Sequence, residues 1–552
     1  MDLKKTIRKY ALQNAVRFKG KASPGAIIGK VFAEAPELKE KASEISKMIS
    51  ETVKEVNSMG VDAQKKELES LAPELLEKKS AKKKDIFEFL KISGKVHTAF
   101  PPEPSKYPHI GHAKAILLNY ELAKKYKGKF TLRFEDTNPA LAKKEFYDIH
   151  LDNYKWLGIK PDNVDYASDH MEEFYKYAES LLKRGDAYLC TCDHETLRKN
   201  RFKGLECACR NKKAAWQDFE KMGEGQGVLR LKIDMKHKNT TMRDPAIMRI
   251  IDAEHARKGS KYRIWPTYDF ENAVMDGIEG ITHRLRSKEF EMRNELQRHI
   301  QRILGFKETK IYEFARFNLE GVESSGRVIR EKIEKGELLG WDDPSLTTLV
   351  ALRRRGFLPE AIKNFVISTG ITKAEATLTW DDLIVHNKRL LDSSSNRYFF
   401  VCNPKKIIIN GAPEKEVSLK LHPDYPKRGF RKLRTNERFY IANEDYESLR
   451  DGKLYRLMGC LNFRKEKESF VFDSVELENY KRKGERIMHW LPADEALVNV
   501  EVLMPDKTIA SGFAEPLVNK IKVGEVIQFE RFGFARLDEK KKDKLIFWFT
   551  NK

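Results

Sequence analysis

The spacing of apolar and polar positions changes several times along this chain, and each change marks a boundary. From Leu38 to Leu90 the apolar residues Ile45, Met48, Ile49, Val53 and Val56 recur three and four apart, on one face of a helix, and Gly60 and Pro73 interrupt the run. This predicts a helical N-terminal extension over residues 1–88. Its end, from Lys78 to Lys84, reads either as a linker or as a solvated helix face. At Lys95 the habit switches to a strand-like run, Val96 to Phe100, followed by a Pro-rich turn and a helix expected to begin near His109. Phe130 to Phe134 predicts a second strand, and Lys143 to Leu157 and Glu172 to Lys183 predict helices. Strand, loop and helix in that order open many nucleotide-binding α/β domains.

The segment 186–256 is mixed in character and bears cysteines, as an insertion would; after it, Tyr268 to Val274 and Ile281 to Leu285 resume the strand-like habit. Helical periodicity returns between Gly336 and Asn396, and from Tyr398 onward short strands alternate with Gly and Pro turns, which predicts an all-β barrel or pair of barrels. The fold class expected is therefore multidomain α/β plus all-β. Its parts are an N-terminal extension (1–88), a first catalytic half (89–185), an insertion (186–256), a second catalytic half (257–335), a helical connection (336–396) and a β region (397–552). No internal repeat recurs at a fixed period.

Composition adds direction. Lysine and arginine outnumber acidic residues 104 to 83, a formal charge of +21 over 552 residues. Such an excess attracts polyanions by counterion release and steering, or it keeps a charged surface soluble and heat-tolerant, and charge does not choose between them. No apolar run is long enough to cross a bilayer, and the opening Met1-Asp2-Leu3-Lys4-Lys5 leads into no signal-peptide pattern, so a cytoplasmic protein without membrane association is expected. Four of the six cysteines sit together as Cys190-Thr-Cys192 and Cys207-Ala-Cys209, two pairs fourteen residues apart. Four thiolates could hold one tetrahedral zinc ion, with His194 able to replace one of them; the alternative is four free thiols around a hairpin. Cys402 and Cys460 read as isolated packing residues.

The densest chemical signal is Pro108-His109-Ile110-Gly111-His112 between a strand and a helix. Imidazoles at a helix N-terminus can donate to triphosphate oxygens, whose charge the helix dipole favours, and the glycine lets a nucleotide approach the backbone. The whole stretch Phe100-Pro-Pro-Glu-Pro-Ser-Lys-Tyr-Pro-His-Ile-Gly-His-Ala-Lys114 resembles the nucleotide-binding loop of the glutamyl- and glutaminyl-tRNA synthetases. Leu132-Arg-Phe-Glu-Asp-Thr-Asn-Pro139, Trp265-Pro-Thr-Tyr-Asp-Phe270, Ile281-Thr-His-Arg-Leu-Arg286, and Gly340-Trp-Asp-Asp-Pro344 with Leu352-Arg-Arg-Arg-Gly356 resemble further blocks of that family, in its order. Five ordered matches over about 260 residues are highly specific. The chain is identified as a member of the archaeal and eukaryotic branch of this class I family.

The resemblance implies a Rossmann-type catalytic domain split by an acceptor-end-binding insertion, then a helical connection and a β-barrel anticodon-binding region. It implies ATP with Mg²⁺, activation of an amino acid as its adenylate, and transfer to tRNA, with zinc in the insertion of some members. By similarity Pro102, His109, Gly111, His112, Ser325 and Arg327 surround ATP, with His109, His112 and Arg327 stabilising charge. Tyr268 lines the amino-acid pocket, and one of Glu135 and Asp136 faces the α-ammonium, the other being free to cap near Asn138 and Pro139. Arg286 stands where glutaminyl enzymes typically have a cysteine, and its charged fork suits a side-chain carboxylate, so glutamate and tRNA(Glu) are expected, with tRNA(Gln) an open second substrate and a monomer the expected unit. The alternatives are that Arg286 meets a tRNA phosphate or a neighbouring acid.

Two departures stand out. The family usually has an arginine where this chain has Ala99. Its second signature loop, KMSKS-like or Ser-Lys-Arg in this branch, reads Val322-Glu-Ser-Ser-Gly-Arg-Val-Ile329 here, with Gly326 at the lysine position. Losing one preorganised donor costs about 10²- to 10³-fold in rate. Arg327, Arg330 and Lys332 are candidates to replace that cation. The rival expectations are a glutaminyl-tRNA synthetase and a catalytically weakened tRNA-binding homologue. Arg428, Phe430 and Arg431 are candidate anticodon contacts, or plain solvated side chains.

Overall fold

The computed structural model describes residues 2–18, 20–75, 85–90 and 92–552; the lysine-rich stretch Lys78 to Lys84 lies outside them. Two compact units result, Met1–Glu88 and Phe89–Lys552. In the first, α1 (Leu3–Arg17), α2 (Pro24–Glu34), α3 (Ala42–Ser58) and α4 (Val61–Leu71) bury their own core. The expected stripe on α3 is the buried face: Ile45, Ile49, Val53 and Val56 are each 4 % exposed or less. Gln64 donates to the carbonyls of Gly20 and Val56, which ties α4 to the turn after α1.

The second unit opens on a parallel α/β sheet. Its elements in chain order are β1 (His97–Phe100), α5 (Ile110–Lys125), β2 (Lys129–Phe134), α6 (Lys144–Trp156), β3 (Asn163–Tyr166) and α7 (Met171–Arg184). A four-stranded antiparallel sheet follows, of β4 (Ala187–Cys190), β5 (Val228–Leu231), β6 (Ala246–Ile250) and β7 (Ile264–Pro266), with α8 (His194–Lys203) and α9 (Trp216–Glu220) between β4 and β5. The chain then re-enters the first sheet through α10 (Tyr268–Glu279), β8 (His283–Ser287), α11 (Arg293–Ile303) and β9 (Lys310–Phe314).

The parallel sheet runs β3-β2-β1-β8-β9. Strand order reverses between β1 and β8, and loops that leave neighbouring strands in opposite directions open a crevice at the strands' carboxyl ends. The second sheet forms between the outgoing and returning strands, so it is an insertion in the α/β unit.

One sequence expectation fails here. Tyr268 to Val274 is the start of helix α10, not a strand. The alternation Tyr-Asp-Phe-Glu mimics a strand, but Phe270, Ala273 and Val274, all fully buried, have helical spacing. Asp269 and Glu271 suit the first turn, and Gly280 at φ 68° closes the helix.

Beyond β9 come a short strand β10 (Phe317–Leu319), α12 (Gly326–Glu334), α13 (Leu349–Arg355), α14 (Pro359–Thr369), β11 (Ala376–Leu378), which pairs with β10, and α15 (Trp380–Ser394). The expected β region is two seven-stranded sheets and a hairpin: one sheet collects seven strands between Pro404 and Pro492, the other joins Arg397–Cys402 to strands between Val498 and Asn551, and Lys415–Lys420 pairs with Phe430–Thr435 as a separate two-stranded sheet. Cys460 is buried in the first of their cores. Arg431 is not a surface reader: it is 2 % exposed and paired with Glu515 at 3.1 Å and with Glu530, because an inward-pointing position on a strand needs its charge neutralised. Arg428 donates to the carbonyls of Ser393 and Ser394, while Phe430 is 52 % exposed. Among the described residues no helix is long and apolar enough to cross a membrane.

Candidate active site

Glu135, Arg286 and the two histidines gather at the carboxyl ends of β1, β2 and β8. The loop after β1 brings His109 to the N-cap of α5. His109 Nδ1 accepts from the Gly111 amide at 3.0 Å, and His112 Nδ1 accepts from the His109 amide at 3.2 Å. Burial holds both rings neutral, His109 down to about 3 and His112 well below its usual range, with the charges of Lys106 and Arg316 adding to the effect. A neutral ring whose Nδ1 accepts carries its proton on Nε2, so each histidine offers one N–H donor beside the helix N-terminus. Gly111 is required by the ring above it, since a Cβ there would sit 2.7 Å from His109 Cε1. Behind the pair, His150 Nε2 donates to the Lys106 carbonyl at 2.8 Å.

The loop after β2 splits Glu135 from Asp136. Asp136 turns inward: it is fully buried, accepting from the Ser168 amide, the Ser168 hydroxyl and the Tyr147 hydroxyl, each at 2.8 Å. It neither faces the crevice nor caps a helix; it braces the loop. Glu135 is the crevice carboxylate, with its amide bonded to the Pro102 carbonyl at 3.0 Å and its side chain accepting from Asn272. Burial raises it to about 7 against the pull of Arg133 and Arg284. Tyr268 stacks on Phe290 at 5.3 Å, at the first turn of α10.

Arg286, in β8, is 7 % exposed. Its guanidinium donates to Gln297 Oε1 at 3.0 Å and to Asn294 Oδ1, and its Nε has no partner. Among the described residues it pairs with no carboxylate, whereas Arg284 two residues earlier is bound to Asp276 at 2.6 Å. A buried cation held only by neutral amides is costly unless an anion arrives, and the desolvation that lowers its pKa expresses that cost.

The scaffold that aims these groups is not evident in the sequence. Asp276 accepts from Arg133 at 3.0 Å, from Arg284 at 2.6 Å and from Gln297 at 2.7 Å. Asn272, one turn earlier on α10, accepts from Arg284 and donates to Glu135. One network thus runs from Glu135 to Arg286. Its trace in the sequence is the spacing of Asn272, Asp276 and Glu279 along one face of a helix that is otherwise largely buried and apolar.

The second signature loop lies against the first. Ser325 caps α12, and Tyr107 stacks on Trp341 at 5.1 Å. Ile110 donates to the Thr347 carbonyl and Leu349 to that of Pro108, so the 340–349 segment clamps the histidine loop. Arg327 is not brought to the histidines; its side chain is 86 % exposed and leans on Glu331 at 3.4 Å. Arg330 donates to the Ser105 carbonyl at 3.4 Å. Ala99 is fully buried within β1 and presents nothing to the crevice.

In the insertion, the four cysteine sulfurs all lie within 4.8 Å of one another. Cys190 and Cys207 are 3.7 Å apart and Cys192 and Cys209 3.9 Å. A tetrahedral ion with Zn–S of about 2.3 Å needs sulfur separations of about 3.8 Å, so the donor set fits zinc. His194 lies exposed on α8, outside the cluster.

A nucleotide-type crevice with paired histidines, an acid and an unpaired arginine thus sits in one half of a chain whose other half is β sheet. Comparison with known proteins gives this arrangement its kin. The family model described as tRNA synthetases class I (E and Q), catalytic domain, matches residues 95–393, and two models of the corresponding anti-codon binding domain match residues 395–478 and 487–538. The glutamate–tRNA ligase of Pyrococcus abyssi is 41% identical over 100% of both chains, that of Pyrococcus horikoshii 42% over 100% of both, and that of Methanocaldococcus jannaschii 39% over 99% of both. By its ordered blocks, its parallel sheet split by an insertion and these full-length matches, the chain belongs to the class I glutamyl/glutaminyl tRNA synthetase family.

Proposed function

We propose that this chain is a glutamate–tRNA ligase, and the observation that carries its choice of amino acid is the buried Arg286 without a carboxylate partner. A glutamate γ-carboxylate supplies the missing anion with two charge-assisted hydrogen bonds; glutamine offers only a neutral amide and leaves the guanidinium uncompensated. Glu135 receives the α-ammonium, and Tyr268 forms a wall of the pocket.

The reaction proceeds in two steps. The substrate α-carboxylate attacks the α-phosphorus of ATP, a P–O bond to pyrophosphate breaks, and glutamyl adenylate remains. Magnesium enters with ATP as part of that substrate. His109 and His112 donate from Nε2 to phosphate oxygens, beside Pro102, Gly111 and Ser325. Their part is to donate hydrogen bonds, so catalysis is positioning and electrostatic stabilisation. A terminal ribose hydroxyl of tRNA then attacks the adenylate carbonyl, and AMP leaves. The β region reads the anticodon, as its family models support, and tRNA(Gln) is a candidate second acceptor. The four-thiol cluster supports a zinc ion that holds the insertion's hairpin together and takes no part in either step.

The test is charging of separate tRNA(Glu) and tRNA(Gln) with labelled glutamate and with labelled glutamine. Glutamate attached to tRNA(Glu) is the expected result. Charging with glutamine would overturn the role of Arg286, and tRNA binding without charging by either would favour the weakened homologue that Ala99 and Gly326 suggest.

A further inference from the structure

The glycine at 326 leaves the second signature loop without a lysine, and neither arginine expected to replace it is turned to the histidines. Arg327 faces solvent and Arg330 is spent on a backbone carbonyl. The space above Gly326 is nonetheless filled. A Cβ built there would meet Lys106 Cδ at 2.9 Å, so the stem of Lys106, from the first signature loop, lies across the N-terminus of α12 where a side chain at 326 would begin. Lys106, His109, Ser324, Gly326 and Thr348 line one cleft. Among the described residues the Lys106 ammonium has no ion pair or hydrogen bond. Glu103 and Glu289 act on it only through space, Glu289 is already paired with Arg316, and Glu323, which also lines the cleft, accepts from the Ser324 and Ser325 amides.

We propose that Lys106 is the cation that faces the triphosphate in this protein, delivered from the first signature loop instead of the second, and that Gly326 is the room its stem requires. Three observations bear on this. The Lys106 ammonium is close enough for its charge to depress His109, His112 and His150 together, so it shares their field. Its partial burial lowers its own pKa, as expected of an ammonium awaiting an anion. Its backbone carbonyl is held by His150, which makes the residue part of the histidine cluster rather than a free surface lysine. A partly desolvated ammonium beside two neutral N–H donors stabilises the charge that builds on the phosphates as pyrophosphate leaves. The inference rests on the reaction proposed above and adds to it the residue that supplies the positive charge.

The experiment is tRNA-dependent ATP–pyrophosphate exchange with glutamate, comparing the wild type with Lys106→Met, which keeps the stem over Gly326 and removes the charge. Exchange slower by about 10²-fold is expected, with the glutamate KM changed by less than about threefold. Lys106→Arg should recover part of the rate. Moving the charge, by Lys106→Gly together with Gly326→Lys, should exceed Lys106→Gly alone by about tenfold or more. Lys106→Met exchanging at the wild-type rate, or a relocated lysine no better than Lys106→Gly, would overturn the proposal. A wild type that catalyses no exchange would instead sink the functional reading itself, so the two failures are distinguishable.

Discussion

Two residues decide what the crevice accepts, and both are chemically unsettled until a substrate arrives. Among the described residues Arg286 has no carboxylate partner, and Glu135 carries a carboxyl raised to about 7. Replacing Arg286 with glutamine removes the charge while keeping much of the shape. The glutamate KM should rise by about 10²-fold, corresponding to the loss of a charge-assisted pair worth about 2 to 3 kcal/mol, as measured in pyrophosphate exchange. For Glu135 the sign is set by the direction of its shift. A carboxyl with a raised pKa is protonated below about 7 and holds an ammonium only once ionised, so glutamate binding should strengthen as pH rises through about 7. Folding moves the opposite way: the stability linked to this group is present at acid pH and is lost as pH rises through the same range. Glutamate KM against pH should show the limb in the wild type and lose it in Glu135→Gln. The histidines, neutral far below their ordinary range, add no limb near 6.5.

Among the elements, α13 couples the catalytic half to the β region. Arg355 donates to the Pro344 carbonyl at 2.9 Å and to the Thr550 carbonyl at 3.0 Å, and Arg354 pairs with both Asp342 and Asp538. The segment it grips is the one that clamps the histidine loop. Arg355→Ala strands buried carbonyls on both sides and should cost about 2 to 4 kcal/mol, seen as earlier urea unfolding of the second unit. In the insertion, Cys207→Ser removes one donor of the four-sulfur set. Metal analysis should find about one zinc per wild-type chain and a large loss in the variant, with the insertion becoming more susceptible to proteolysis.

At the scale of the whole molecule, charge and division into units matter most. A net +21 supports tRNA binding dominated by phosphate contacts. Affinity measured by filter binding should fall about 10³-fold or more between about 50 and 200 mM salt, if about six to ten phosphates are neutralised. The first unit buries its own core, so a chain beginning at Phe89 should fold and still catalyse pyrophosphate exchange within about tenfold of the full-length rate.

Much of this was legible in the residues. The stripe on α3, the strand before His109 and the helix after it follow from local periodicity and capping, which neighbouring residues determine among themselves. The histidine pair, the cysteine pairs and Arg286 were visible because their chemistry is rare and their spacing short. Tyr268 to Val274 alternates like a strand although it is helical, because a capped helix start can alternate over four residues and only burial decides the period. Residues far apart in the chain took their roles from contacts that no spacing records. Asp136 turned inward because Ser168 and Tyr147 lie beneath it, Arg286 stayed unpaired because Asp276 was taken by Arg284, and Lys106 gained the space over Gly326. The sequence by itself determined which elements form and which chemical groups are present, since those depend on neighbours along the chain. The tertiary structure alone decided which charges are neutralised and which remain for a substrate, since that depends on what the fold brings within a few ångströms.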